Sequence, residues 1–344
     1  MTLVKNISAG NPAEYNIRLR RDRIGKYFSE YLKEFVFAEL SEAYMSNVEI
    51  LDFMKGIPVP LKNADLKIFA GGSGVDPKEL AENMARIIGI DPHFNYTEQY
   101  VLFLDRVLRG SAMGYLLEKG ITALGERAND EACIYFRACL CLETENLDAM
   151  FHYACCCREM YLASENREYT GDFKAEALDY FELATEAHPK HAKSHYYLGY
   201  MYLNLGLYTK ARLVWNKFLE LSEEPADIDE IKQRIRQLED PVRIEQAINH
   251  IISGRDEQGI PILESYLDSD YKDWWPLHYY LGLAYVSVGR PEDAIRSFKR
   301  VLEKNGSHID SMTELAELFK ASGDVEEEQK YRRKMQLVEQ NILH

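Results

Sequence analysis

Apolar residues recur at spacings of three and four along most of this chain, in short stretches broken by Gly, Pro, Asn and Asp. Each stretch predicts a short helix with one apolar face. The sharpest instance is residues 192–221, AKSHYYLGYMYLNLGLYTKARLVWNKFLEL, which reads as two helices joined by a tight turn at Gly206, where φ is expected to be positive. From residue 111 onward the design recurs at about 113–146, 147–191, 192–225, 240–274, 275–308 and 309–342. The second of these is 11 residues longer than the rest, with the excess around SENREYTGDFKAE, either as extended helix or as a polar loop. Asp227–Leu238 reads as one extra helix, with Ile228, Ile231, Ile235 and Leu238 on its apolar face.

The pattern changes before residue 111. Ile24, Tyr27, Phe28, Tyr31, Leu32, Phe35, Val36, Leu40 and Tyr44 predict one long amphipathic helix, entered by the basic run Arg18, Arg20, Arg21, Arg23 and Lys26. That run is read as a helix start answering acidic neighbours, in preference to an RNA or lipid contact. Gly56, Pro58 and Pro60 exclude a helix. Ile57–Leu61 and Leu66–Ala70 are expected to form a hairpin, followed by Gly71-Gly72-Ser73-Gly74 and by helices at Pro77–Ile88 and Thr97–Leu108.

The spacing of Leu198-Gly199, Tyr202, Gly206, Tyr208, Ala211, Trp215 and Phe218 resembles a tetratricopeptide repeat, a helix–turn–helix unit of about 34 residues. Leu281-Gly282, Tyr285, Gly289, Pro291, Ala294, Phe298 and Val301 repeat the pattern. The resemblance implies an all-α fold: a right-handed superhelical solenoid of such repeats behind a mostly helical N-terminal segment. The expected division is 1–110 (hairpin within 57–70, degenerate repeat at 77–110), repeats 1–3 at 111–225, a linking helix at 226–239, and repeats 4–6 with a charged capping helix at 240–344. The resemblance also implies a binding scaffold in which first helices line a concave groove.

The residues add their own argument about that groove. In the third repeat Leu198, Gly199, Tyr202 and Leu205 make a core stripe, and Tyr196, Tyr200 and Leu203 make a second one. In the fifth, the second stripe is Tyr279, Leu283 and Val286, and Phe151 beside His152 is the equivalent first contact in the second repeat. A helix apolar on two faces must bury both or expose one. The second stripe either receives a partner's apolar or aromatic segment or packs on the next repeat. Groove lysines of the kind that grip acidic tails are few, with Lys193 and Arg158 near the matching positions.

Charge narrows the partners. The net charge is −15, and residues 111–344 hold 27 Lys and Arg against 41 Asp and Glu. Such a surface repels a phosphate backbone, so the expected partner is a protein or peptide, apolar, aromatic or basic, and nucleic acid is not expected. Homo-oligomerisation stays open. No apolar run is long enough to span a membrane, and the first sixteen residues lack the apolar core of a signal peptide, so a cytoplasmic chain is expected. All six cysteines fall within 133–157, and His188, His191 and His195 cluster at an inter-repeat turn. Both groups read as packing and surface residues rather than metal ligands, and no cofactor and no catalytic residue is expected. The leading expectation is a non-enzymatic interaction scaffold. The alternatives are a sensor of a peptide or small ligand, and an N-terminal region binding nucleotide through Gly71–Gly74.

Overall fold

A computed structural model describes residues 15–40, 53–64, 75–163 and 167–342. The chain divides into two compact units, residues 1–201 with 216–223, and residues 202–215 with 224–344. Sixteen α-helices and one two-stranded sheet make up the regular structure among the described residues.

The first unit opens with a short helix α1 (Gly25–Phe28), a 3-10 turn (Ser29–Glu34) and a strand β1 (Phe35–Glu39). The long helix expected from Ile24 to Tyr44 therefore stops at Glu34; residues 41–44 lie outside the described residues. The physical reason is a tertiary partner. β1 pairs antiparallel with β2 (Pro58–Lys62), in the register Phe35↔Lys62 and Phe37↔Pro60. An aromatic, β-branched run such as Phe35-Val36-Phe37 suits that pairing better than its helical period suggests. The strand expected at 57–61 is present, but its described partner comes from upstream; residues 66–70 and the glycine run 71–74 lie outside the described residues. Asn63 N–H donates to Glu34 O. The alternation along β2 thus turns the N–H groups of Val59 and Leu61 toward β1 and the ring nitrogens of Pro58 and Pro60 away from it, where no donor is required.

Helices α2 (Pro77–Ile90) and α3 (Thr97–Val107) follow as a packed pair. Asp76 caps α2 by accepting from the Lys78 N–H, with Pro77 in the first turn. Val59 and Leu61 are buried, and β2 is held here by Asn83 donating to Pro60 O at 3.2 Å and by Tyr100 donating to Pro58 O. This apolar, proline-containing segment is thus part of the N-terminal fold.

The hairpins come next: α4 (Ala112–Gly125) with α5 (Asn129–Leu142), and α6 (Leu147–Ala163) with α7 (Arg167–Ala187). The second repeat's excess length appears as helix, with 17 and 21 residues in α6 and α7 against 14 in each of α4 and α5. α8 (Ala192–Asn204) and α9 (Tyr208–Leu221) form the third repeat. In the second unit α10 (Pro225–Gln237) is the extra helix. It is followed by α11 (Glu239–Ile252) with α12 (Asp256–Glu264), α13 (Trp275–Ser287) with α14 (Pro291–Lys304), and α15 (Ile309–Ser322) with α16 (Val325–Ile342). Its core runs from Ile244 to Tyr331 through Leu281, Phe298 and Leu315.

One turn geometry recurs. Gly206, Gly254, Gly289 and Gly323 have φ between 71° and 79°, and the next residue's N–H donates to a carbonyl five residues back. That satisfies an orphan helix carbonyl, and glycine takes the left-handed conformation at no steric cost. The α4–α5 turn makes the same bond, from Ala128 N to Ala123 O, but its left-handed residue is Arg127, φ 62°.

Candidate functional site

Four cations of the basic run are paired with carboxylates. Arg18 pairs with Glu98 at 3.1 Å, Arg20 with Asp179 at 2.9 Å, Arg23 with Asp179 at 2.5 Å and with Glu176 at 3.4 Å, and the exposed Lys26 with Glu168 at 3.1 Å. Tyr27 packs edge-on to Tyr169 and Phe173 of α7. The centre of this docking is Arg137 of α5, whose side chain is buried. It donates to both Asp22 carboxylate oxygens, to Gly89 O, to Ile90 O and to the Tyr153 hydroxyl. Tyr153 in turn donates to Glu176, whose carboxyl burial pushes above the usual range. The N-terminal segment thus lies chiefly against the second helices, α5 and α7, of repeats one and two.

The first helices carry the aromatic residues. Residues 195–199 and 278–282 are the same pentapeptide, His-Tyr-Tyr-Leu-Gly, and the structure uses its histidine and its first tyrosine alike. His195 Nε2 donates to Pro189 O at 3.0 Å, and His278 Nε2 donates to Lys272 O at 2.7 Å. Both carbonyls lie six residues back, so the rings tie first helices to the turns that precede them. The first tyrosine leans on the phenylalanine of its own repeat's second helix: Tyr196 on Phe218 at 5.3 Å and 60°, Tyr279 on Phe298 at 6.0 Å and 57°. Gly282 leaves room for that phenylalanine, since a Cβ there would come within 2.6 Å of the Phe298 ring.

The expected contact residues fall in two groups. In the first unit Phe151 is 8% exposed, wedged among Phe181, His191 and Tyr197. Tyr197 belongs to the next repeat's first helix, so Phe151 follows the packing alternative and is not a surface contact. His152 is half-buried, stacked on Phe136 at 5.4 Å, and its ring pKa lies below the usual value because of burial. Tyr196 and Tyr200 are half-buried neighbours, rings 5.2 Å apart, joined to Phe151 through Tyr197. In the second unit Leu203 is half-buried, Tyr279 and Leu283 lie half-buried against the core, and Val286 is 38% exposed. Tyr279 also meets His308, ring centroids 4.8 Å apart, and Trp275 flanks the same imidazole. The residues omitted from the sequence-based set are therefore Tyr197, Trp275 and His308; the repeated pentapeptide was the signal for the first.

The cysteine and histidine clusters are structural. Cys133, Cys139, Cys141, Cys156 and Cys157 are buried, and Cys155 is partly so. Burial raises the Cys141 thiol to about 12, and those of Cys133, Cys139 and Cys155 also rise, so they stay protonated and unreactive. His188 donates to Glu145 O at 2.6 Å, and His191 Nδ1 hydrogen-bonds Ser194 Oγ at 2.7 Å. Among the described residues no three His, Cys, Asp or Glu side chains are placed to hold a metal ion, and no helix is long and apolar enough to cross a membrane.

The family model for the tetratricopeptide repeat matches residues 164–223 and 279–334. Each stretch holds one copy of the Tyr-Tyr-Leu-Gly run. No curated protein sequence matches the chain. Among solved structures, the chain is similar to the TPR domain of P58(IPK), at 13% identity over 92% of this chain and 97% of that one, TM-score 0.43. It is similar to TTC0263, a thermophilic TPR protein of Thermus thermophilus, at 16% identity over 70% and 98%, TM-score 0.31. It is also similar to YrrB, described as a TPR protein with an unusual peptide-binding site, at 14% identity over 59% and 91%, TM-score 0.27. Within these two matched stretches the helical hairpins are of the tetratricopeptide-repeat kind.

Proposed function

We propose that this protein is a non-enzymatic scaffold that takes a peptide or helix of a partner protein on the faces of its first helices. Tyr196 and Tyr200 supply the contact in one unit, and Tyr279, Leu283 and Val286 in the other; Phe151 and His152 buttress the first set. The observation that carries this reading is the His-Tyr-Tyr-Leu-Gly pentapeptide, whose histidine and first tyrosine make the same contacts in both units, the tyrosine staying half-buried. Tyrosine suits such a surface, with a large rigid ring and a hydroxyl for the partner's backbone. The acidic repeats favour a partner segment that is basic as well as apolar.

The test is capture of partners from the native lysate by the wild-type chain and by Tyr196→Ala/Tyr200→Ala/Tyr279→Ala, with the corresponding Phe variant as a control for packing. Partners lost by the Ala variant and kept in part by the Phe variant support the reading. Undiminished capture by a folded Ala variant rules it out.

A further inference from the structure

The turn between α14 and α15 carries the dipeptide Asn305-Gly306, the one Asn-Gly in the chain. Asn305 closes α14 by donating its N–H to Val301 O at 2.7 Å, and it has φ −134° and ψ 83°. Gly306 and Ser307 are exposed. The fold does not demand a glycine here. Gly289 and Gly323 set their turns with positive φ, whereas the φ of Gly306 lies outside the left-handed region. A Cβ on Gly306 would meet Leu302 O at 3.7 Å, an ordinary contact.

Several features open this side-chain amide to attack by its own backbone. With no side chain on Gly306, nothing crowds the backbone nitrogen that follows Asn305. Among the described residues the Gly306 N–H donates to no acceptor, and the Asn305 side-chain nitrogen has no partner. The Ser307 hydroxyl donates to Asn305 Oδ1 at 3.2 Å. That bond draws electrons from Cγ and is in place to stabilise the oxyanion that forms when Cγ is attacked. At ψ 83° the Gly306 nitrogen is turned away from Cγ, so the peptide must turn over before a ring can close. The bond that resists is His308 N–H to Asn305 O, at 3.2 Å the long end of the hydrogen-bond range.

We propose that Asn305-Gly306 is a self-modifying site that deamidates within the folded chain. The Gly306 nitrogen gives its proton to solvent and bonds to Asn305 Cγ; the Cγ–Nδ2 bond breaks and Nδ2 leaves as ammonia. The product is a five-membered succinimide. Water then opens it at one of its two carbonyls, giving aspartate or isoaspartate. One amide and one water thus become one carboxylate and ammonium, with no oxidant or reductant. Isoaspartate lengthens the backbone by one carbon at the turn that positions His308. This ring stands between Trp275 and Tyr279, and its Nδ1 accepts from the Ser311 N–H at 3.1 Å at the start of α15. Modification therefore loosens the first turn of α15. The site does not depend on the scaffold reading.

The test is mass spectrometry of the peptide containing residue 305, after the folded full chain has been aged at neutral and at mildly alkaline pH. The peptide should gain one mass unit, ahead of every other Asn peptide and faster at the higher pH. Ageing in heavy-oxygen water should add two further mass units. Gly306→Ala, which the turn accommodates, should slow the gain by about tenfold, because a Cβ narrows the conformations that bring the nitrogen to Cγ. Ser307→Ala should slow it by about fivefold, the worth of one hydrogen bond. The deamidated form, separated by anion exchange, should lose amide protection at His308 and in the first turn of α15. An Asn305 that stays intact in the folded chain, a Gly306→Ala rate equal to wild type, or a Ser307→Ala rate equal to wild type would overturn the proposal. Equal amide exchange in the two forms would overturn its effect on α15.

Discussion

At the scale of single residues, charge burial and backbone strain decide most of what can be measured. Arg137 is buried with Asp22 and three other acceptors. Arg137→Met leaves Asp22 and Glu176 without their main counter-charge and is expected to cost about 3–5 kcal/mol in denaturant unfolding of the chain. A loss under about 1 kcal/mol would mean that the network contributes nothing net. Arg127→Gly acts the other way. A side chain in the left-handed region costs about 1–2 kcal/mol, so the variant should raise stability by about 1 kcal/mol. Histidine gives the pH dependence. Burial lowers the ring pKa of His152, His191 and His195, and the buried Nδ1 of His195 has no hydrogen-bond partner among the described residues. The unfolded chain protonates these rings near pH 6.5 while the folded chain resists, so it binds more protons than the folded one below that pH. Their stabilisation is therefore present above about pH 6.5 and is lost as the pH falls through the depressed folded values. The Tm of the chain should fall from pH 7 to 5, and His152→Gln with His191→Gln should flatten the slope; an unchanged slope contradicts this account. The Asp22–Arg137 pair did not stand out in the sequence, because the two residues are 115 positions apart and only folding joins them.

At the scale of elements, legibility follows how local the cause is. The repeat helices were readable because period, turn glycine and small-residue positions all lie within one unit and agree with one another. The pair β1–β2 was half readable. Pro58 and Pro60 ruled out a helix, but the partner strand carries a helical apolar period and becomes extended only through pairing across 23 residues. The candidate contacts behaved likewise. Tyr196 and Tyr279 were identifiable from their stripe, whereas the burial of Phe151 depends on Tyr197 and Phe181, which no single-helix pattern contains. Close approaches between elements give the sharpest test. A Cβ on Gly89 would meet the backbone oxygen of Ile134 at 2.0 Å, and the one on Gly282 would meet the ring of Phe298. A ring can shift and a helix backbone cannot do so alone. Gly89→Ala should cost about 3 kcal/mol by forcing α2 off α5, and Gly282→Ala about 1–2 kcal/mol, both read by denaturant midpoint. The reverse order would mean that α2 and α5 do not cross there.

At the scale of the whole molecule, the N-terminal segment and the repeats divide the work. The segment's cations meet acidic groups of the second helices, including Glu168, Glu176 and Asp179 of α7, so its charge is largely answered within the first unit. The aromatic first helices carry the half-buried tyrosines on which the proposed scaffold rests. The most direct measurement is hydrogen–deuterium exchange of the chain with and without a captured partner. Protection concentrated in α8 and α13, with little change in α5 and α7, is the result this account predicts. Protection confined to α5 and α7, with α8 and α13 unchanged, would contradict it.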